Sequence, residues 1–340
     1  MPAAVALAAE HALRLLRFGA SPAHRPAKPD HTALLLSGGG NLSFFHLGVI
    51  RVLHEAGLLP RVLSGASAAS LIAAAVATRS ERDLDALHAD ELGFIGFAER
   101  AAKKRYTAEQ FAADLETALP DVTFAEAEEI SGRALNVPLA GRDEGGVVCG
   151  PRTTPNVLVR DAVRASCAVP GVFDPVVVRE RQSGRLRPFQ WGREWVDGSL
   201  YADVPEPFIK HRYGVRQSIV SLVNPAVRPF VGEEFGRANQ SRVRKVVLGA
   251  AKNTALGWIR LAQLHAGAAP RAREAFDTAC RVIQQPYGGD LVLTPSQRFA
   301  VSGLLGHPTR EFVRRLSADG QARTRDRLEE LRAMARPLPA

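Results

Sequence analysis

Cysteine is scarce in this sequence. The 340 residues hold three, Cys149, Cys167 and Cys280, far apart and odd in number. That makes neither a disulfide framework nor a metal-ligand set. Reduced thiols and a cytoplasmic setting are the expectation. Long apolar runs are also missing. No uninterrupted stretch reaches about 18 apolar residues, so no transmembrane helix is expected. The formal charge is +9, yet there is no RNA-binding signature, no zinc-spaced Cys/His set and no basic tail. Nucleic acid is therefore not an expected partner. An anionic lipid surface is the other partner that a basic protein attracts. There is no internal repeat and no low-complexity segment.

What is present is enough apolar material for a sizeable core, with 46% hydrophobic residues. The length suits one large α/β domain. Residues 1–30 stand apart from it. They read poorly as a secretory signal, because Glu10 and His11 break the apolar run and no Lys or Arg precedes it. An amphipathic helix through Leu7, Leu13, Leu16 and Phe18, then a Pro-rich linker at 22–29, fits better.

Thr32–Leu36 reads as a buried strand, followed by Ser37-Gly38-Gly39-Gly40 and a helical pattern from Leu42 to Ala56. Arg61–Leu63 reads as a second strand and Ser67–Thr78 as a helix. Such a βαβα order implies a parallel sheet. Residues 80–130 read as mostly helical. Further strands are expected at Ala134–Leu139, Val147–Val148, Asn156–Val159, Val176–Arg179, Glu194–Val196, Ser218–Val223 and Asp290–Leu293. A polar loop separates Val176–Arg179 from Glu194–Val196. Helices are expected at Asp161–Cys167, over 238–284 and over about 309–335.

The glycine turn admits several chemistries. A P-loop needs a Lys after the glycines, and none is present. A dinucleotide fingerprint needs G-x-G-x-x-G, but Ser43 stands at the third position. An oxyanion hole needs only converging N–H groups beside a nucleophile. A plain tight turn is the remaining reading. Gly65-Ala66-Ser67-Ala68-Ala69 has the form of a nucleophile elbow, G-x-S-x-G, with Ala69 in place of the last Gly. Taken alone, Ser67 could equally cap an Ala-rich helix. Trp195-Val196-Asp197-Gly198-Ser199 puts a carboxylate at a strand end, where α/β sheets bind ligands. Asp197 can act as general base, or Asp197-Gly198 can be an ordinary turn pair. A Ser-His-Asp triad is disfavoured, because only one βα unit precedes Ser67.

In this order the three elements resemble the patatin-like phospholipase family. The stretches TFAEAEEISGRALNVPL, PNVLVRDAVRASCAVPGVFDPV, WVDGSLYADVPEPFI, IVSLVNPAVRPF and QPYGGDLVLTP resemble its triacylglycerol-lipase branch and bacterial relatives. The likeness covers about 31–335. It implies a three-layer α/β fold with a mainly parallel central sheet flanked by helices. It also implies a serine acyl hydrolase of lipid esters that needs neither metal nor cofactor. Ser67 matches the nucleophile, Asp197 the base, and Gly38, Gly39 and Gly40 the oxyanion turn. Gly65, Ala69 and Gly198 complete the motifs. His46 matches a family histidine of no assigned role. Ser43 and Ala69 depart from the family pattern. They keep a second class of reading in play, a catalytically weak or silent lipid-binding protein. An acyltransferase would use the same residues. Finally, 237–265 carries Arg237, Arg242, Arg244, Lys245, Lys252 and Arg260 among apolar residues. That pattern fits a peripheral membrane helix as well as an ordinary surface one.

Overall fold

The computed structural model describes residues 31–84, 107–224, 287–296 and 308–335, and positions 227, 282, 284 and 285 between them. The expected N-terminal helix and linker, and the basic stretch 237–265, lie outside the described residues.

β1 (Thr32–Leu36) is apolar throughout and buried on both faces, as a central parallel strand must be. The chain then makes a tight 3-10 turn (Gly40–Phe44) and enters α1 (Phe45–Glu55). The expected single helix from Leu42 thus begins with a tighter turn. β2 (Val62–Gly65) leads into α2 (Ala68–Ala77). Next come α3 (Ala108–Ala118) and α4 (Phe124–Ser131), each opened by a Thr capping box. β3 (Ala134–Gly141) and β4 (Gly146–Cys149) follow.

Asn156–Val159 does not form the expected strand. Val157 and Leu158 make single bridges, to Glu180 and Thr123, and α5 (Val159–Ser166) starts at once. The apolar residues Val159, Ala162 and Val163 are buried at helical spacing, and that pattern prevails over the short strand-like run. After β5 (Val176–Val177), the expected polar loop is a hairpin of β6 (Arg179–Gln182) and β7 (Arg185–Pro188). Ser183 and Gly184 turn it with φ of 49° and 74°, both positive as a two-residue hairpin turn requires. The chain continues through β8 (Glu194–Val196), α6 (Ser199–Ala202), α7 (Glu206–Tyr213), β9 (Gln217–Ser221) and β10 (Leu291–Leu293). The charged terminal stretch is two helices, α8 (Arg310–Arg325) and α9 (Leu328–Ala335).

The sheet order is β10-β9-β1-β2-β3-β8-β5, with β4 also on β3. Strands β10 through β3 are parallel, and β4, β8 and β5 join antiparallel. Alternation along β1 separates two cores. Leu34 and Leu36 pack with residues of α1, α2, α5 and α8. Ala33 and Leu35 pack with residues of α6 and α7. This is a three-layer, mainly parallel α/β fold. No helix among the described residues is long and apolar enough to cross a membrane.

Candidate active site

Ser67 sits between β2 and α2 at φ 50°, ψ −136°. A non-glycine residue held there costs about 1–3 kcal/mol and persists only where its surroundings enforce it. Here the Ser67 N–H donates to Ser166 Oγ at 3.0 Å, and Ser166 Oγ donates to the Pro138 carbonyl at 3.0 Å. Strand β3 and helix α5 therefore clamp the turn. The N-terminus of α2 lies directly behind the serine and favours negative charge there.

The elbow tolerates Ala69 for a geometric reason. A methyl on Gly65 would fall 2.5 Å from the Ala69 carbonyl oxygen and 2.8 Å from its carbon. The close approach thus uses Gly65 and the backbone of Ala69, while the Ala69 methyl is buried in the core. Gly65→Ala is expected to destabilise the fold by about 1–3 kcal/mol. Ala69→Gly should cost about 1–2 kcal/mol, through helix propensity and the loss of a buried methyl, and leave turnover unchanged. Urea midpoints and ester turnover of the two variants check this. A gain in turnover for Ala69→Gly would contradict it.

β2 ends partway along β3, with Ser64 opposite Asn136, and β8 comes down antiparallel beside the remainder of β3, with Val196 opposite Ala140. That register brings the residue after β8 to Ser67. Ser67 Oγ donates to Asp197 Oδ2 at 2.6 Å. The other carboxylate oxygen, Oδ1, accepts from the Ser199 N–H at 2.8 Å and the Ser199 hydroxyl at 2.7 Å. Burial pushes the Asp197 pKa up, while the bonds from Ser67 and Ser199 pull it back. Gly198 must be glycine, since a methyl there would run into the Pro138 carbonyl.

The glycine turn lies against this pair. A methyl on Gly38 would sit 3.0 Å from Ser67 Cβ. Gly38 differs from the expectation that its N–H faces an oxyanion. Its N–H donates to Asp203 Oδ1 at 2.6 Å. The preceding carbonyl, that of Ser37, accepts from His46 Nε2 at 3.0 Å. The Ser37–Gly38 peptide is thus pinned from both sides. The N–H groups of Gly39, Gly40 and Ala68 open the 3-10 turn and α2, so they have no intrahelical acceptor. They have none elsewhere among the described residues.

Three residues that sequence reading passed over hold this arrangement. Ser166 clamps the serine and Ser199 orients the carboxylate. Asp203 is buried, and its Oδ2 accepts from Asn224 Nδ2 at 3.2 Å and the Tyr287 hydroxyl at 3.0 Å. His46, unassigned by sequence, acquires a place. Since a carbonyl only accepts, Nε2 carries the proton, and Nδ1 accepts from Ser221 Oγ at 2.7 Å. Ser43, at the missing glycine, is buried with its hydroxyl unpartnered among the described residues.

Burial lowers the His46 pKa from 6.5 to about 4 and raises that of Asp203 from 3.8 to about 7. The two groups bias stability in opposite senses. On acidification from pH 6.5 to about 4, the unfolded chain protonates His46 and the folded protein does not, so stability is lost. Over the same window folded Asp203 keeps a proton that the unfolded chain releases, so its contribution is lost as pH rises. Asp203→Asn removes the second slope. Unfolding free energy of that variant should fall more steeply on acidification than that of the parent, by roughly 3 kcal/mol across the window. Urea melts at several pH values check this, and parallel curves would contradict it.

The family model for "Patatin-like phospholipase" matches residues 34–208, just over half the chain. A patatin-like phospholipase domain-containing protein of Pyricularia oryzae is 31% identical over 327 residues, covering 88% of this chain and 41% of its own length. One from Coccidioides immitis is 36% identical over 222 residues, covering 61% of this chain and 30% of its own length. The chain therefore spans less than half the length of these relatives. Among solved structures, VipD from Legionella pneumophila aligns over 92% of this chain and 70% of its own, at 15% identity and a TM-score of 0.44. On the match over residues 34–208, the chain belongs to the patatin-like phospholipase family.

Proposed function

We propose that this chain is a serine acyl hydrolase that cleaves carboxylic esters of lipids, acylglycerols or phospholipids, through Ser67 and Asp197. The observation that carries the reading is the 2.6 Å bond from Ser67 Oγ to a buried carboxylate at a strained elbow. Family membership supports the lipid ester as substrate class.

In the reaction, Asp197 Oδ2 takes the hydroxyl proton as Ser67 Oγ bonds to the ester carbonyl carbon. Burial makes Asp197 a stronger base than an exposed aspartate. Charge builds on the former carbonyl oxygen. N–H groups of Gly39, Gly40 and Ala68 are the donors available to it, aided by the N-terminus of α2. Asp197 then hands the proton to the departing alcohol oxygen as the C–O bond breaks, leaving an acyl-Ser67. Water, deprotonated by the same carboxylate, attacks this ester and returns the serine. Gly38 has a different part: its N–H, held by Asp203, fixes the turn that carries the donors.

Purified protein incubated with mixed triacylglycerols and phospholipids should release free fatty acid, detected by mass spectrometry. Ser67→Ala should release none above the buffer blank. Equal release by both proteins would overturn the assignment.

A further inference from the structure

Five large hydrophobic residues are exposed among the described residues, and four of them, Val172, Val177, Leu186 and Trp191, fall in one run. That run leads straight into β8 and Asp197. Its location follows from strand register. Trp195 of β8 pairs with Gly141, the last residue of β3, and Val177 pairs with Glu194, one step further out. Trp191 precedes both, so it lies beyond the edge of the sheet at which Ser67 and Asp197 meet. Val172 follows a second contact with the same edge. The Ala168 carbonyl accepts the Asp197 N–H at 3.0 Å, and a turn closed by Val172 N–H on the Val169 carbonyl at 3.0 Å follows it.

Trp191 is held out by its backbone. Phe189 is buried and stacks on Trp195 at 5.9 Å between ring centres. Then Gln190, Trp191 and Gly192 all take positive φ, 46°, 60° and 82°. Two of these are non-glycine residues in a costly conformation. The outcome is an indole wholly in water, the reverse of what burial of an aromatic side chain would favour.

The segment is also basic. Residues 172–193 carry five arginines against Asp174 and Glu180. Arg179 and Arg181 are spent on Asp161 and Glu126. Arg185 and Arg187 are exposed and have no acidic partner among the described residues. An exposed Trp in one segment with exposed arginines that have no acidic partner among the described residues matches a membrane interface, where the indole sits at headgroup level and the cations meet phosphates.

We propose that the 172–193 segment docks the protein on an anionic lipid surface, with Trp191 entering the headgroup region and Arg185 and Arg187 meeting lipid phosphates. This rests on the lipid-ester reading only for its purpose: docking there would set the Ser67 end of the sheet against the substrate phase.

The test uses full-length Ser67→Ala protein, so that binding does not depend on turnover. It should sediment with phosphatidylcholine vesicles containing phosphatidylglycerol and bind pure phosphatidylcholine far more weakly. Adding Arg185→Glu and Arg187→Glu should weaken binding by at least about thirtyfold, from roughly fivefold for each basic residue lost. Vesicles should also shift tryptophan emission to the blue, and Trp191→Phe should remove that shift while binding persists. The three Trp residues are 191, 195 and 258. A shift that survives Trp191→Phe would place the contact elsewhere and overturn the proposal. So would unchanged binding of the Arg variant, equal binding to neutral vesicles, or no binding by the parent. With Ser67 intact, the Arg185→Glu/Arg187→Glu protein should hydrolyse soluble p-nitrophenyl butyrate at the parental rate. That rate reports folding and the site alone, so a failed active-site assignment is read separately from a failed docking surface.

Discussion

Ser67→Ala should lose ester turnover by on the order of 10⁴-fold or more while keeping its unfolding midpoint. The size of the effect follows from what the side chain does. Among the described residues no other hydroxyl donates to Asp197 Oδ2, so nothing there replaces the proposed attacking atom. The fold should not notice, because the elbow is held by the Ser67 backbone N–H and the helix behind it, both kept in the variant. Removing the hydroxyl also leaves a buried carboxylate with Ser199 as its remaining donor, so the Asp197 pKa should rise further. Asp197→Asn should lose on the order of 10³-fold or more, since an amide cannot take the proton. Steady-state kinetics with p-nitrophenyl butyrate and urea melts of the same samples separate chemistry from folding. Loss of both activity and fold in Ser67→Ala would mean that the hydroxyl is structural.

The second large effect is expected at Asp203. Asp203→Ala should lower kcat by about 10²-fold and leave KM within a few-fold of the parent. Asp203 touches no reacting atom in this arrangement. It acts through Gly38, whose N–H it holds at 2.6 Å, while His46 holds the neighbouring Ser37 carbonyl. Releasing one side of that peptide lets the following donors, at Gly39 and Gly40, move. In the proposed reaction those donors act when charge forms on the carbonyl oxygen, which is why kcat should change and KM should not. Asp203→Asn keeps an oxygen for Gly38 and should recover much of the rate. Its new amide meets two former donors, Asn224 Nδ2 and the Tyr287 hydroxyl, so recovery should be partial. A rise in KM at constant kcat for Asp203→Ala would instead mean a substrate-binding role.

These two residues also show what the sequence could and could not disclose. Ser67 and Asp197 are legible because their signals are local: a strand, a turn of small residues, and a Ser or Asp at its apex. The bond between Asp197 Oδ1 and the Ser199 N–H is also local, and an Asp two residues before a Ser is a readable turn signal. Asp203 has no such signal. Its partners are Gly38, Asn224 and Tyr287, and only the folded sheet brings them together. The same is true of Ser166, which reads as an unremarkable helix residue until α5 lies across β3. The β6–β7 hairpin escaped for another reason. Its strands are charged and lack apolar alternation, so periodicity gave nothing, although Ser183-Gly184 is itself a turn signal. Residues 156–159 failed in the opposite way, since a short apolar run serves strand and helix equally well until burial decides.

The departures from the family pattern carry less weight after the geometry is known. Ala69 presents only backbone to Gly65, and its methyl is accommodated in the core. Ser43, in the 3-10 turn that Gly40 opens, remains a buried hydroxyl without a partner among the described residues.

Whether Ser67 is an activated nucleophile is tested by one measurement that needs no knowledge of the natural lipid. The native protein is treated with a fluorophosphonate, digested, and the modified peptide is located by mass spectrometry. One phosphonyl adduct is expected, on Ser67, formed at least about 10²-fold more slowly in Asp197→Asn. An unlabelled Ser67 in folded protein, or an adduct on another serine, would contradict it.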